Sequence, residues 1–538
     1  MTRGHDLLNE GTRCLLVQTQ FSDMSFWNYR DVCKIVGASY PAPPLGLITA
    51  AALLPQQWEF RLIDTNVEPL LDEHLEWADL VCSGAMLPQQ NSVLALIERV
   101  HEYGRPIVLG GPDPTSQPGL YSAADCLVLG EGEVTIPLFV HDLERGRFGG
   151  TYVSEERADM ADAVVPRFDL IRFRDYLQVG IQYSRGCPFN CEFCDIIELF
   201  GRKSRAKTPA QVTKELQALY DLGYRGHVDF VDDNFIGNKR SVVEALAAVR
   251  EWSQEHRYPF YFSTEAAITL AEDDALLQMM RDVDFRFVFI GIETPSPEVL
   301  TAINKRQNLR KSISDAVRKI GSYGMIVNAG FILGFDDESE HTAGEMIECI
   351  QDSGICMAMV GKLCALPNTQ LTKRLGLEGR LFGDGSGSSI QGGATDIDQT
   401  TSGLNFLTAR PRLEVLKDFG RVIEAIYSPK SYYERALLTG LNLSFEKKHR
   451  PTVWSRARRG RSFLQVVRKQ GLNRTTGPLF WKMCAQVIRR NPRGIEGAVN
   501  LAAMYVHFRK QAQYIVDLTN QEILRLEAAP MAAAPAAT

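Results

Sequence analysis

Apolar residues follow two alternating patterns along the first part of the chain. Short runs rich in Val, Ile and Leu predict strands, and longer stretches with apolar residues three or four positions apart predict helices. The predicted strands are residues 13–18, 60–64, 80–83, 106–109 and 126–129, and the predicted helices are 45–54, 89–103 and 134–143. Alternating strands and helices are typical of an α/β fold, so we expect a doubly wound, Rossmann-like domain over residues 12–150.

After a predicted linker at residues 151–174, the same alternation begins again and continues for six units. Strands are predicted at 179–183, 228–231, 260–263, 287–290, 326–334 and 357–366, and helices at 209–222, 240–255, 273–282, 310–323 and 338–352. Six such units predict a partial (β/α)6 barrel of the TIM type over residues 175–380. The active site of such a barrel belongs at the carboxyl ends of its strands.

The rest of the chain has a different character. Residues 381–404 are rich in Gly, Ser and Thr, which predicts a flexible linker or an active-site flap. The helical pattern at 411–425, 432–438, 461–470, 477–490 and 494–513 predicts an α-helical C-terminal domain over residues 405–528. We expect residues 1–11 and 529–538 to be disordered.

Composition and charge add two points to this outline. With 538 residues and 45% hydrophobic positions, the chain is long and apolar enough for several packed domains, which excludes a disordered or fibrous protein. The formal net charge of −6 hides an asymmetry, because residues from 401 onward carry 23 Lys and Arg against 9 Asp and Glu. That region is therefore +14 and residues 1–400 are −20. Such asymmetry indicates a partner for one part of the chain.

The chain has no apolar run of the length that spans a membrane and no signal-peptide pattern at its start, so we expect a cytoplasmic protein. An odd number of cysteines, eleven, disfavours a disulfide framework. Six of them lie in apolar surroundings and are interpreted as small core residues: Cys14, Cys82, Cys126, Cys349, Cys356 and Cys364.

Three other cysteines form a motif. The segment Arg185-Gly-Cys187-Pro-Phe-Asn-Cys191-Glu-Phe-Cys194 directly follows a predicted strand. Three thiolates on one loop can hold three irons of a cubane cluster and leave the fourth iron open. Zinc is an alternative, but it requires a fourth ligand such as His227 or Cys364, and both lie within or beside predicted strands.

The cysteine loop, with Phe193 before the third cysteine, resembles the signature of the radical S-adenosylmethionine superfamily. The resemblance implies a 4Fe-4S cluster on Cys187, Cys191 and Cys194 whose open iron is chelated by S-adenosylmethionine. It also implies that Phe193 and residues at the strand ends hold that cofactor. Asp232, Asp233 and Asn234 would accept hydrogen bonds from the amino group of S-adenosylmethionine, and Glu265 and Glu293 from its ribose. Gly330, Gly334 and Leu366 would lie against the adenine.

Polar residues and glycines also follow the strands of the first domain, where a large polar ligand would bind. With the barrel that follows, this domain resembles the cobalamin-binding domain of class B radical S-adenosylmethionine enzymes. The residues implied in binding cobalamin are Asp64, Asn66, Ser83, Gly84, Leu87, Gln89, Gly110, Gly111, Pro112, Thr115, Gly130, Glu131, Gly132 and Glu133.

The sequence departs from the pattern that supplies a histidine ligand to cobalt. The matching strand end carries Asn66 where that histidine would stand, so we expect cobalamin with its base displaced and its lower face against Leu87 or Gln89.

The basic C-terminal domain allows three interpretations. It is a solvated cap on the barrel, a nucleic-acid surface, or a peripheral contact with anionic lipid headgroups. Nucleic acid is disfavoured because interleaved exposed aromatic residues and a recognised module are missing from the pattern. The lipid interpretation gains from a resemblance of this unit to hopanoid methylases, and it places the protein at the inner face of the membrane. The basic residues concerned include Lys447, Arg456, Arg458 and Arg459.

Together these resemblances imply a cobalamin-dependent radical S-adenosylmethionine methyltransferase. One S-adenosylmethionine would methylate cobalamin, and a second would give a 5′-deoxyadenosyl radical that activates an unactivated carbon to receive the methyl group from methylcobalamin. The expected substrate is a small hydrophobic metabolite or a membrane lipid such as a hopanoid, and the electron donor a flavodoxin or ferredoxin. The alternatives are a non-methylating enzyme of the oxidative cyclase type and a cluster or cobalamin sensor.

Overall fold

The computed structural model describes residues 11–22, 24–26, 28–382, 400–449 and 453–528, with the side chains of 453–456 left out. The two predicted disordered termini, apart from Gly11, and most of the predicted flap at 381–404 therefore lie outside the described residues. Three units follow one another along the chain in the order that the sequence predicts.

The first unit is a six-stranded parallel sheet with the strand order β2-β1-β3-β4-β5-β6. Its strands are β1 Arg13–Gln18, β2 Glu59–Asp64, β3 Leu80–Gly84, β4 Ile107–Gly110, β5 Cys126–Val128 and β6 Gly150–Tyr152. Its helices are α1 Arg30–Val36, α2 Leu45–Leu53, α3 Asp72–Trp77, α4 Gln90–Glu102, α5 Pro112–Ser116 and α6 Gly132–Glu144. The strand order reverses next to β1, which is the kind of position where open sheets bind ligands.

Successive residues of β1 explain why this sheet has helices on both faces. Leu15 and Val17 belong to one buried cluster with residues of α4, and Cys14 and Leu16 belong to another with residues of α2 and α6. A strand that is apolar on both sides must be covered on both sides, so the prediction of a doubly wound domain is confirmed. The short edge strand β6 was missed because three half-exposed or exposed residues give no apolar run.

The second unit is the predicted partial barrel. Its strands are β7 Val179–Ile181, β10 Gly226–Phe230, β11 Phe260–Glu265, β12 Phe285–Glu293, β13 Ile326–Leu333 and β14 Ala358–Lys362, all parallel and in sequence order. A short antiparallel pair, β8 Ser184–Arg185 and β9 Arg205–Ala206, flanks the cysteine loop. The helices are α7 Ile196–Leu199, α8 Pro209–Asp221, α9 Lys239–Glu255, α10 Asp274–Asp282, α11 Pro297–Ala302, α12 Ile313–Ser322, α13 Thr342–Ser353 and α14 Gln370–Leu377.

Alternate residues of the barrel strands face inward and outward. On β10, Val228 and Phe230 are fully buried and belong to the core cluster that includes apolar residues of α8 and α9. The alternate residues, among them His227 and Asp229, face the barrel interior, where Ser263 contacts both of them. The outer face is therefore hydrophobic, and the interior carries polar side chains.

The third unit consists of α15 Arg412–Ile426, α16 Pro429–Asn442, α17 Val453–Val466, α18 Gly477–Arg490 and α19 Ile495–Ala528. The last helix continues past the predicted end at residue 513 because its buried face continues, with Ile515 and Thr519 both buried. Phe508 of α19 packs against Phe26 of the first unit with ring centroids 5.1 Å apart, so the helical domain touches both other units. In the part of the chain that the structure describes, no helix is long and apolar enough to span a membrane.

Candidate active site

The carboxyl ends of the two parallel sheets face each other. Arg185, just beyond β7 of the barrel, donates to Glu133, which follows β5 of the first unit, with both N to O distances 2.7 Å. Asn368, beyond β14, donates to the backbone carbonyl of Ser116, which follows β4, over 3.2 Å. Ligand-binding edges of both sheets therefore border one space between the units.

The cysteine loop lies between β8 and α7 at this border. Gly186 adopts a φ of +86°, and a Cβ there would come within 2.7 Å of the Lys203 carbonyl, so the residue before the first cysteine has to be glycine. Cys191 is buried and Cys187 and Cys194 are half-buried. Burial raises the pKa of the Cys187 and Cys194 thiols. Bound iron would instead favour the deprotonated form, because a cysteine binds a metal ion as a thiolate.

Two amide groups donate toward these sulfurs. Gln307 Nε2 lies 3.7 Å from Cys191 Sγ, and Asn234 Nδ2 lies 3.9 Å from Cys187 Sγ. N–H donors to cluster sulfurs help to set the reduction potential of an iron–sulfur centre. Gln307 escaped the sequence argument because it stands in the short loop after α11 with no motif around it.

The predicted segment Asp232-Asp233-Asn234 follows the carboxyl end of β10. Asp232 is buried and accepts a hydrogen bond from the Ser184 amide through Oδ1, but its Oδ2 has no partner among the described residues. Burial raises the pKa of Asp232 to about 7. Asp233 accepts from the Gly186 amide over 2.8 Å, and burial raises its pKa to about 6. An orphaned, buried carboxylate oxygen beside the cysteine loop suits an ammonium donor such as that of S-adenosylmethionine.

The two predicted ribose acceptors differ in their surroundings. Glu265 ends β11, and burial, followed by the charges of Asp229, Asp233 and Asp232, raises its pKa to about 8. Glu293 ends β12 with a φ of +65° and pairs with Lys305 over 2.5 Å.

Lys305 was missed by the sequence argument. Burial acts to lower its pKa, but the charges of Glu293 and Cys191 hold the pKa above its ordinary value. Its Nζ lies 5.7 Å from the centre of the Phe193 ring, so one cation links a predicted S-adenosylmethionine contact to the cysteine loop.

The predicted adenine platform lies on the next strands. A Cβ on Gly330 would lie 3.3 Å from the Phe289 ring, and Gly334 adopts a φ of +111° just beyond β13. The Leu366 carbonyl accepts from Thr369 Oγ1 over 2.8 Å, which fixes the loop after β14. All three predicted residues are thus on β13 or in the loops that follow β13 and β14.

In the first unit, several predicted cobalamin residues form an internal network. Asp64 accepts from Asn66 Nδ2 over 2.7 Å and from the Tyr176 hydroxyl over 3.0 Å. Gln89 is buried and donates to the Thr19 carbonyl over 2.7 Å. Ser83 Oγ likewise donates to the Val17 carbonyl over 2.7 Å. These side chains hold the strand ends in position.

Leu87 remains half-buried at the start of the short turn after β3, beside Met86, which is 51% exposed. Of the two residues predicted for the lower face of cobalamin, Gln89 is thus held by Thr19, and Leu87 stays accessible. Met86 was missed because a single methionine in a loop carries no spacing signal.

The glycine loops fit closely against each other. A Cβ on Gly111, whose φ is +99°, would come within 2.9 Å of the Ala85 carbonyl, and one on Gly84 would lie 3.6 Å from the Gly110 carbonyl. Thr115 accepts from the Gly130 amide over 2.9 Å, so the loops after β4 and β5 are joined. Pro112 and Gly132 begin α5 and α6.

The carboxylates of Glu131 and Glu133 are engaged within the protein. Glu131 pairs with Arg205 over 2.7 Å and with Arg185 over 3.1 Å, and Glu133 pairs with Arg185. All of these carboxylates are almost fully buried. Any contact of this loop with cobalamin is therefore made by its backbone, because the Glu131 and Glu133 side chains are paired with arginines of the barrel unit.

The alternative zinc ligand His227 lies at the amino end of β10. Its Nε2 lies 2.7 Å from Ser263 Oγ, inside the barrel at the end away from the cysteine loop. It cannot complete a site with Cys187, Cys191 and Cys194.

Comparisons with known proteins agree with this geometry. The radical SAM superfamily description matches residues 181–350, the B12 binding domain matches residues 34–140, and a domain of unknown function, DUF4070, matches residues 369–521. An uncharacterized methyltransferase of Synechocystis sp. is 38% identical over 94% of this chain and 92% of its own length. The hopanoid C-2 methylase of Rhodopseudomonas palustris is 36% identical over 73% of this chain and 72% of its own length.

The chain belongs to the cobalamin-dependent radical S-adenosylmethionine methyltransferases. This methyltransferase therefore uses a 4Fe-4S cluster, S-adenosylmethionine and cobalamin, and zinc on the cysteine loop was the wrong alternative. The fold is also that of the solved cobalamin-dependent radical enzyme OxsB, which is 15% identical with a TM-score of 0.59 over 96% of this chain and 81% of that one. The cysteine loop fits a 4Fe-4S cluster, and the orphaned Asp232 oxygen fits the ammonium group of S-adenosylmethionine. The loops of the first unit fit cobalamin.

Proposed function

We propose that the methyltransferase adds a methyl group to an unactivated carbon of a hydrophobic substrate, a membrane lipid such as a hopanoid. The observation that carries this is the apolar surface between the two sheets. Val231, directly after β10, is 38% exposed, and Met86, after β3 of the opposite unit, is 51% exposed. Apolar side chains left accessible at the carboxyl ends of both sheets offer a hydrophobic molecule contacts from both sides.

Further apolar groups extend this surface into the barrel. Leu45 of the first unit lies 3.6 Å from the position of a Cβ on Gly180 of β7, so the first unit reaches the barrel interior. Phe289 and Ile332 on β12 and β13 are half-buried, in contrast to their fully buried neighbours. The 36% identity to the hopanoid C-2 methylase supports the same class of substrate.

We assign the cofactor contacts from the positions described above. Cys187, Cys191 and Cys194 hold the cluster, and Asp232, Asp233 and Asn234 receive the ammonium group of S-adenosylmethionine. When bound, the cofactors supply the 5′-deoxyadenosyl radical and the methyl group. The protein supplies position and excludes water, and Glu265, with its raised pKa, can donate a hydrogen bond as a neutral acid.

Two partners complete the proposal. The cluster needs a reductant, for which a flavodoxin or ferredoxin is proposed. The helical domain is proposed to contact anionic membrane from the inner face, because exposed apolar side chains and basic residues coexist on α17 and α18. The exposed apolar residues are Phe463 and Leu464 on α17, Trp481 and Ile488 on α18, and Leu472 between the two helices.

The test combines a deletion strain with the purified enzyme. Lipid extracts of the deletion strain are compared with the parent for a species that loses about 14 mass units, the mass of one methylene. The lipid so identified, added with S-adenosylmethionine and reductant, should yield S-adenosylhomocysteine and 5′-deoxyadenosine in step. An unchanged lipid profile together with methylation of a water-soluble metabolite would overturn the proposed substrate class.

A further inference from the structure

A cavity among the described residues lies remote from the cofactor site. It has a volume of about 810 Å³ and lies beneath the amino ends of β10 to β13, where α17 and α19 form its outer wall. Active sites of such barrels lie at the opposite, carboxyl end. His227 at the cavity and Phe230 at the carboxyl end of β10 are three residues apart along the strand, or about 10 Å, and Asp232 lies two residues beyond that end.

A layer of rings separates the cavity from the barrel interior above it. His227 stacks on Tyr261 with centroids 4.9 Å apart, and Phe287 packs against His227 at 5.9 Å. All three line the cavity, so this layer is its ceiling. The cavity is therefore a separate compartment and not the lower part of the substrate chamber.

The walls are mainly apolar. Ile326 at the start of β13, Phe463 and Val466 on α17, and Val499 and Ala503 on α19 all line the space. Its volume is in the range of small-molecule sites in proteins, about 300–1,000 Å³. An apolar enclosure of this size suits a hydrocarbon chain.

Cations exceed carboxylates around the same space. Glu496 faces three cationic groups: Lys447 at 2.5 Å, Arg459 at 3.6 Å and Arg286 at 4.0 Å. Only Arg286 has a second carboxylate, Asp284, among the described residues.

Arg458 adds a further positive charge. Its Nε donates to the Val36 carbonyl, and no carboxylate of the described residues lies within ion-pair distance of it. Three cations, Lys447, Arg459 and Arg286, thus share the carboxylates of Glu496 and Asp284, and Arg458 is a fourth cation outside these pairs. An acidic group placed here would be attracted by the unbalanced charge.

We propose that this cavity binds one anionic amphiphile, with its hydrocarbon chain between α17, α19 and the strand ends and its acidic headgroup beside Arg458 and Arg459. The proposal does not depend on the substrate of the methyltransferase, because the site lies at the other end of the barrel. Phe463 lines the cavity and is also exposed, as is the next residue of α17, Leu464, so these side chains offer a route for a lipid from a membrane surface.

The test uses the full-length holoenzyme and the fluorescent fatty acid cis-parinarate. Ala503→Trp fills the cavity from α19, and Arg458→Glu with Arg459→Glu reverses the charge beside it. We expect the first variant to weaken parinarate binding at least tenfold and the second several-fold. Arg489→Glu with Arg490→Glu, the same charge change on exposed residues of α18, should leave binding unchanged. Equal parinarate affinity in wild type and Ala503→Trp would overturn the proposal.

A second arm identifies the source of the ligand. The protein is mixed with phosphatidylglycerol vesicles, separated from them, and analysed by native mass spectrometry. One phospholipid retained by wild type and lost in Ala503→Trp supports a membrane lipid, and binding of parinarate alone supports a free fatty acid. Retention of phospholipid by both proteins overturns the site. Formation of 5′-deoxyadenosine should persist in Ala503→Trp, which shows that the variant is folded, and Ala503→Leu is the smaller replacement if it is not.

Discussion

Arg185 of the barrel and Glu133 of the cobalamin-binding unit form a bidentate ion pair, and Arg185 lies two residues before Cys187. Both N to O distances are 2.7 Å, and only 12% of the Arg185 side chain and 6% of the Glu133 side chain are exposed. Burial acts to raise the pKa of Glu133, but Arg185 holds it below its ordinary value. The pair joins the two cofactor-binding units at the point where their reactive ends must meet.

Arg185→Met should weaken both folding and cofactor retention. Removing one partner of a buried pair leaves a buried charge, which costs about 3–5 kcal/mol. We expect the anaerobic holoenzyme to unfold at lower guanidinium concentration and to lose cobalamin on gel filtration. Arg167→Met, which breaks the more exposed pair with Asp169, is the control and should cost about 1 kcal/mol or less. Equal midpoints for the two variants would contradict the role given to Arg185.

Cys191→Ala should abolish the cluster. One thiolate ligand of three is then missing, so iron content, the EPR signal and 5′-deoxyadenosine formation should all be lost. Cys349→Ala, at a half-buried cysteine on α13, should retain all three. A Cys191→Ala protein that still forms 5′-deoxyadenosine would disprove the assignment of this loop.

Gln307→Met should change the potential of the cluster without removing it. The side chain keeps its length but loses the N–H group that lies 3.7 Å from Cys191 Sγ. Because that donor stabilises the more negative, reduced cluster, we expect a lower reduction potential in an EPR-monitored titration. An unchanged potential with a normal cluster would show that the contact does not act on the iron.

Glu265→Gln should change the pH dependence of stability. The folded protein holds a proton on Glu265 up to about pH 8, whereas the unfolded chain releases it near 4.5. Between these values the native state binds more protons, so this group makes stability fall as pH rises. Without S-adenosylmethionine, the variant should exceed wild type by about 1–4 kcal/mol at pH 8 and by much less at pH 5. Glu251→Gln on the surface of α9 should follow wild type at both pH values.

Leu464→Ser combined with Trp481→Ser should reduce binding to anionic vesicles. These residues are 67% and 47% exposed on α17 and α18. Losing apolar area weakens insertion into the headgroup region, so co-sedimentation with phosphatidylglycerol vesicles should drop several-fold. Leu377→Ser, at a 93% exposed residue of α14, should have no effect. If the wild type does not bind these vesicles, or if the double variant binds them as well as the wild type does, α17 and α18 do not form a membrane surface.

The order of the domains and the positions of much of the candidate site could be predicted because their signals are local. Cys187, Cys191 and Cys194 lie within eight consecutive residues, and their spacing indicates a site for an iron–sulfur cluster. Asp232 and Glu265 were predicted at strand ends from the apolar runs that precede them, and the structure places them there. Parallel strands then bring such ends together, whatever the intervening helices contain.

Other relationships arise only from folding. Gln307 reaches Cys191 from 116 positions away, and Arg185 reaches Glu133 from 52. The cavity joins the starts of four strands to α17 and α19, which follow more than a hundred residues later. Hydrophobic periodicity and motif spacing describe neighbours along the chain, so the sequence by itself determined the order of the three units, the cysteine motif and the acids that follow the strands. Tertiary packing decided which side chains pair across units, which predicted ligands bond within the protein, and where the cavity beneath the barrel opens. These features depend on contacts between distant segments of the chain.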